Sequence, residues 1–207
     1  MTHVSDTFPY PWPYDGAVTC NGEPERLAVV VCGAQRHWIA MIDAEGQRID
    51  VDEGVDDILG LVDELRAVGA LVVWIRTGRS TAGRRPIDRT LPVVGSDDWA
   101  LVADPFPGDV VVDTPAHDGF AVAWLDVELR GRGIDRLAMV GIGTESVVSA
   151  TNRNANDRGY ECLTVTDAVI HHHGDTGAAA LSSICMSGGI FGAIGTGGPL
   201  LDALGAQ

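Results

Sequence analysis

Apolar residues along this chain alternate between two spacings. Leu27–Cys32, reading Leu-Ala-Val-Val-Val-Cys, is an unbroken apolar run of strand length, the pattern of a strand covered on both faces. Val55, Ile58, Leu59, Val62 and Leu65 then recur at helical intervals and stop before Gly69. The alternation continues, predicting strands over 71–75, 109–112, 137–142 and 161–165 and helices over 120–130, 145–158 and 176–185. A short strand over 190–194 and a last turn over 200–204 complete it. Strands that alternate with helices need right-handed crossovers between parallel neighbours. The expected class is therefore α/β, three α/β/α layers around a mainly parallel central sheet. In such sheets ligands sit at the carboxyl ends of the strands. The aperiodic segment 77–94, rich in Arg, Gly, Pro and Thr, is expected to be a long loop on that face.

The N-terminal residues follow another rule. Phe8-Pro9-Tyr10-Pro11-Trp12-Pro13-Tyr14 alternates rings with prolines, which fix φ and exclude a helix, so 1–25 is read as an extended arm ahead of a single domain over 26–207. With 29 acidic residues against 14 basic ones, the net charge of −15 argues against nucleic-acid or anionic-membrane partners. No apolar run approaches a membrane-spanning length and no leader pattern opens the chain, so a cytoplasmic protein is expected. Cys20, Cys32, Cys162 and Cys185 are scattered without a CxxC pair and are read as reduced, with Cys32 and Cys162 in strands.

Three segments carry more specific information. Val140-Gly141-Ile142-Gly143-Thr144-Glu145-Ser146-Val147-Val148 ends a strand in a glycine turn that opens a helix. Arg153-Asn154-Ala155-Asn156-Asp157-Arg158-Gly159-Tyr160 follows it, and Gly188-Gly189-Ile190-Phe191-Gly192-Ala193 lies beyond. Together with the Pro-aromatic arm, they resemble the isochorismatase-like cysteine hydrolase family, most of all its biuret and ureide amidohydrolase branch. That resemblance spans nearly the whole chain. It implies hydrolysis by an Asp at the end of the first strand, a Lys and a Cys, with the Asp taking the thiol proton and the thiolate attacking a carbonyl. Matching the family's motifs puts Gly33 at the Asp position, Thr114 at the Lys position and Val147 at the Cys position. Neither glycine nor valine can take a proton or attack a carbonyl. On this alignment the family's covalent route is closed.

The remaining candidates were weighed against plainer roles. His117, in the loop after Thr114, and Glu145 are the candidate catalytic groups. Imidazole titrates near neutral pH, whereas Glu145, like Asp118 ahead of Phe120, also fits a helix-capping carboxylate. Gln35, Trp38, Arg76, Phe120 and Ser146 are the candidate ligand-binding residues. For Arg76, ion pairing competes with bidentate ligand binding; for Trp38, core packing competes with a pocket role; Ser146 has no evident base beside it and suits a turn. Strand alternation turns Cys32 away from the Asp position and into the core. His171-His172-His173 is read as exposed surface, since metal ligands usually come from separated elements; neither metal nor cofactor is expected. The chain is thus read as keeping a small-molecule pocket for an amide or carbonyl metabolite, with non-covalent acid–base chemistry in place of cysteine hydrolysis. The alternatives are a ligand-binding or partner pseudoenzyme and an amidohydrolase with a relocated nucleophile. By the resemblance, a homo-oligomer (dimer or tetramer) is expected.

Overall fold

The computed structural model describes residues 23–44, 50–80 and 90–205. Residues 1–22, and with them the expected Pro-aromatic arm and Cys20, lie outside that set. In chain order the elements are β1 (Leu27–Cys32), α1 (Arg36–Ala44), α2 (Val51–Ala67), β2 (Leu71–Thr77), β3 (Val110–Thr114), α3 (Trp124–Gly131), β4 (Arg136–Ile142), α4 (Ser149–Asp157), β5 (Glu161–Ile170), α5 (Gly174–Ile184), β6 (Ala193–Gly195) and α6 (Gly197–Leu204).

Every residue of β1 is buried, as its unbroken apolar run requires. It is a central strand: the sheet order is β3-β2-β1-β4-β5-β6, and all five pairings are parallel. From β1 the chain winds outward through β2 to β3, whereas from β4 it winds the other way to β6. With crossovers of one hand, that reversal sends the helices of the two halves to opposite faces, giving the three layers. It also makes the loops after β1 and β4 diverge, opening a crevice at the carboxyl end of the sheet between them.

α2 is fixed at both levels. Asp50 accepts the Glu53 N–H at 3.1 Å at its start, and Val51, Ile58, Leu61, Val62 and Leu65 are buried along it. At the other end of β4, Gly141 has φ of +125°, and a β-carbon there would lie 2.0 Å from the Cys32 carbonyl oxygen. Only glycine lets β4 pass that close to β1. The β4–β5 register shifts between Met139 and Gly141, where the extra residues lie in β5 and bulge that strand beside the glycine turn.

Several boundaries differ from the sequence reading. The helix expected over 120–130 begins as a 3-10 turn, Gly119–Ala121, and becomes α-helical only at Trp124. The helix expected over 145–158 opens with a π-helical turn, Thr144–Val148. β5 runs on to Ile170, β3 reaches Thr114, and the strand expected over 190–194 is confined to Ala193–Gly195. Helix α1 was not anticipated. Of the loop 77–94, residues 81–89 lie outside the described set, and its base is joined by a bridge between Arg79 and Val93. Among the described residues, no helix is long and apolar enough to cross a membrane.

Candidate functional site

The crevice between β1 and β4 has Gly33 on one side and the turn Gly143 to Val147 on the other. Gly33 is buried with φ of +61°, and a β-carbon there would meet Val147 Cγ2 and Trp38 Cδ1 at 3.3 Å and the Ile142 carbonyl oxygen at 2.9 Å. The positions matched to the Asp and the Cys thus do face each other. What joins them is a buried valine methyl packed against glycine, an apolar floor with no proton to move. Thr114 closes the turn after β3: its hydroxyl donates to the Asp118 carbonyl oxygen at 2.9 Å and accepts the Ala116 N–H at 3.3 Å.

Trp38 forms the wall above this floor. It is buried, its indole N–H donates to Thr77 Oγ1 at 3.2 Å, and imidazoles from three separate segments surround it. His37 packs edge-on at 4.9 Å between ring centres, His117 is at 5.6 Å and His172 at 5.2 Å. Thr90 ties two of them, with its carbonyl oxygen 2.9 Å from His37 Nε2 and its hydroxyl 3.4 Å from His117 Nε2. Burial, with a smaller contribution from the charge of His172, holds His117 below the ordinary histidine range, so it is neutral at pH 7. Its Nδ1 is enclosed with no protein hydrogen-bond partner.

His172 is a residue of the crevice that the sequence reading placed on the exposed surface, and it corrects two expectations. The histidine triplet is not uniformly exposed: only His173 is, whereas His171 is half-buried and His172 is buried. Ser146 does have a base beside it, with its Oγ 3.4 Å from His172 Nε2. A bulge in β5 carries the strand to Ile170 and delivers His172 to the crevice, a long-range effect that leaves no mark in the spacing of the triplet itself.

The other candidates separate clearly. Gln35 is fully buried and its amide is used entirely by the framework: Nε2 donates to the carbonyl oxygens of Thr77 at 3.0 Å and Trp99 at 2.9 Å, while Oε1 accepts the Thr77 N–H at 2.8 Å and its hydroxyl at 3.0 Å. Arg76 is bidentate on Asp113, at 2.7 and 3.1 Å, and lies 3.5 Å over the Trp99 ring, which occupies its planar face and its fork together. Phe120 is buried against Tyr160 at 5.6 Å between ring centres, and so belongs to the core. Glu145 spends its carboxylate on the start of α5, accepting the His172 N–H at 3.1 and 3.2 Å, the His173 N–H at 2.9 Å and the Thr176 hydroxyl at 3.1 Å. Burial works to raise its pKa, but those backbone donors and the nearby His172 outweigh it, and the net shift is downward. An ionised carboxylate so engaged is a poor proton donor. The geometry makes Glu145 the anchor that holds His172 in place.

Cys32 is fully buried and burial pushes its thiol up to about 12, which leaves it a core residue. Among the described residues no cluster of three or more His, Cys, Asp or Glu is arranged to hold a metal ion. A cavity of about 460 Å³ lies elsewhere, lined by Asp56, Asp57, Glu64 and Asp167 among others, and none of the residues around Trp38 borders it.

The Isochorismatase domain model matches residues 27–193. A ureidoacrylate amidohydrolase, RutB, of Methylorubrum extorquens is 30% identical, over 74% of this chain and 76% of the relative. Among solved structures, an isochorismatase-like hydrolase from Alkaliphilus metalliredigens superposes with a TM-score of 0.72 at 19% identity, covering 86% of this chain and 96% of that one. A cysteine hydrolase from Pseudomonas syringae pv. phaseolicola gives 0.71 at 22%, covering 95% and 96%. The sheet order, the glycine turn at its switch point and these matches agree: the chain belongs to the isochorismatase family.

Proposed function

We propose that this protein acts on a small amide or carbonyl metabolite in the crevice beside Trp38, with imidazoles supplying the acid–base chemistry that a cysteine route cannot. The observation that carries this reading is the convergence of His117 and His172 on Trp38, above a floor made inert by Gly33 and Val147. A neutral His117 can accept a proton at pH 7. We take the protein to need no cofactor and, on the family likeness, to work as a cytoplasmic homo-oligomer.

The test is turnover of a panel of ureides, amides and small carbonyl compounds by purified protein. His117→Ala is expected to lower kcat by about 10²-fold or more, the usual worth of a positioned acid or base. Iodoacetamide is expected to leave turnover intact, since the described cysteines Cys32, Cys162 and Cys185 are buried. Saturable binding of a panel compound without turnover would replace this reading with a pseudoenzyme; inactivation that tracks alkylation of a cysteine would remove it.

A further inference from the structure

Ser146 precedes the position where the family carries its cysteine, and it is not idle. Its Oγ has two partners at nearly equal reach, the Gly143 carbonyl oxygen, to which it donates at 3.3 Å, and His172 Nε2 at 3.4 Å. Gly143, with φ of +86°, makes this meeting possible: a β-carbon there would lie 2.4 Å from Ser146 Oγ and 2.8 Å from His172 Nε2. His172 is held in two further ways, at its ring and at its backbone. Trp38 packs on its ring, and Glu145 binds the His172 backbone N–H through both carboxylate oxygens. A hydroxyl within reach of an imidazole nitrogen is the pairing from which a nucleophile is activated, and such contacts are commonly long before substrate binds.

We propose that Ser146 is the nucleophile of this protein and His172 its base, a catalytic pair displaced by one residue from the vacant cysteine position. The proposal rests on the acid–base reading above and adds a covalent step to it. Ser146 Oγ attacks the carbonyl carbon while its proton passes to His172 Nε2. Collapse breaks the bond from that carbon to the leaving nitrogen or oxygen, which takes the proton from His172 and departs as an amine or alcohol. Water then gives a proton to His172 and attacks the acyl-Ser146, and the proton returns to the serine as the carboxylic acid leaves. Arg76 is occupied by Asp113, and the charge beside the pair is the Glu145 carboxylate, so the acyl group is an uncharged one on a small ester or amide.

The full chain is treated with a fluorophosphonate and, separately, with p-nitrophenyl acetate, and the products are read by intact mass and peptide mapping. One adduct per chain on Ser146 is expected, absent in Ser146→Ala and slowed about 10²-fold in His172→Gln. Ser146→Cys is expected to restore acylation and to make it sensitive to iodoacetamide. An adduct on another residue, or none on the wild-type chain, overturns the proposal, and the wild-type result decides even where a variant does not fold. The two readings fail differently. Turnover of the metabolite panel that survives Ser146→Ala but not His117→Ala removes the nucleophile and keeps the acid–base site; turnover indifferent to His117, Ser146 and His172 alike removes both.

Discussion

Replacing Gln35 by leucine strips the acceptor from a buried Thr77 N–H and the donors from the Thr77 and Trp99 carbonyls at one stroke. Buried backbone groups left without partners cost about 1–3 kcal/mol each before relaxation, so Gln35→Leu is expected to destabilise the fold by at least about 1–3 kcal/mol in urea denaturation. Arg76→Ala breaks a partly exposed ion pair of the kind worth about 1 kcal/mol or less. A loss from Arg76→Ala that matched or exceeded the loss from Gln35→Leu would show that the amide does not brace this part of the fold. Both side chains were singled out in the sequence as ligand contacts, and both turn out to have their polar groups filled. Nothing local announces that, because the groups that fill them come from 42, 64 and 37 positions away. What Gly33 and Val147 lack, a titratable atom, is legible in the sequence, since it is a property of the residue and needs no partner.

The turn between β4 and α4 shows what a longer segment adds. Its glycines and the strand before it were visible as a pattern, and the strand ends where expected. The helix after it was misjudged in its first turn, because a π-helical turn inserts a residue and shifts the buried face relative to the 3.6 period, leaving Val147 and Val148 buried together ahead of Ser149. Helix α1 escaped notice for a related reason: with nine residues it offers too few repeats for a periodicity, and it is set by the hydrogen bonds of Gln35 and of the Arg36 N–H with the segment around Ala100. The glycine turn itself is exacting. Gly143→Ala places a methyl group between Ser146 and His172 on a backbone of positive φ, which costs roughly 1–2 kcal/mol for an L-residue in that region. The variant is expected to stay folded, with His172 displaced from Trp38 and quenching of tryptophan fluorescence altered accordingly. Wild-type rates of fluorophosphonate labelling in folded Gly143→Ala would mean that the turn does not govern the spacing of the pair.

Across the molecule, the buried histidines make stability depend on pH in a window separate from that of the carboxylates. Burial holds His117 and His171 below 6.5, with His172 adding to the shift at His117 and Glu145 partly opposing it at His171. In the unfolded chain both titrate near the ordinary value, so as pH falls past about 6.5 the unfolded state binds protons that the folded state refuses. Folding is then disfavoured progressively until the folded-state histidines protonate in turn. Glu145 acts with the same sign but lower: its carboxyl lies below 4.5 when folded, so the stability it lends is intact above that value and is lost only as pH falls through its folded titration. The net charge of −15 works the other way, since protonating carboxylates relieves repulsion, but that relief begins where carboxylates titrate. Between about pH 7.5 and 5.5 the histidines therefore act largely alone. The urea midpoint is expected to fall across that interval, and to fall less in the His117→Asn, His171→Asn double variant, whose buried side chains have no proton to gain. A midpoint that rises as pH drops from about 7.5 to 5.5 would mean that relief of the chain's negative charge already dominates there, and that burial does not hold His117 and His171 below the ordinary range.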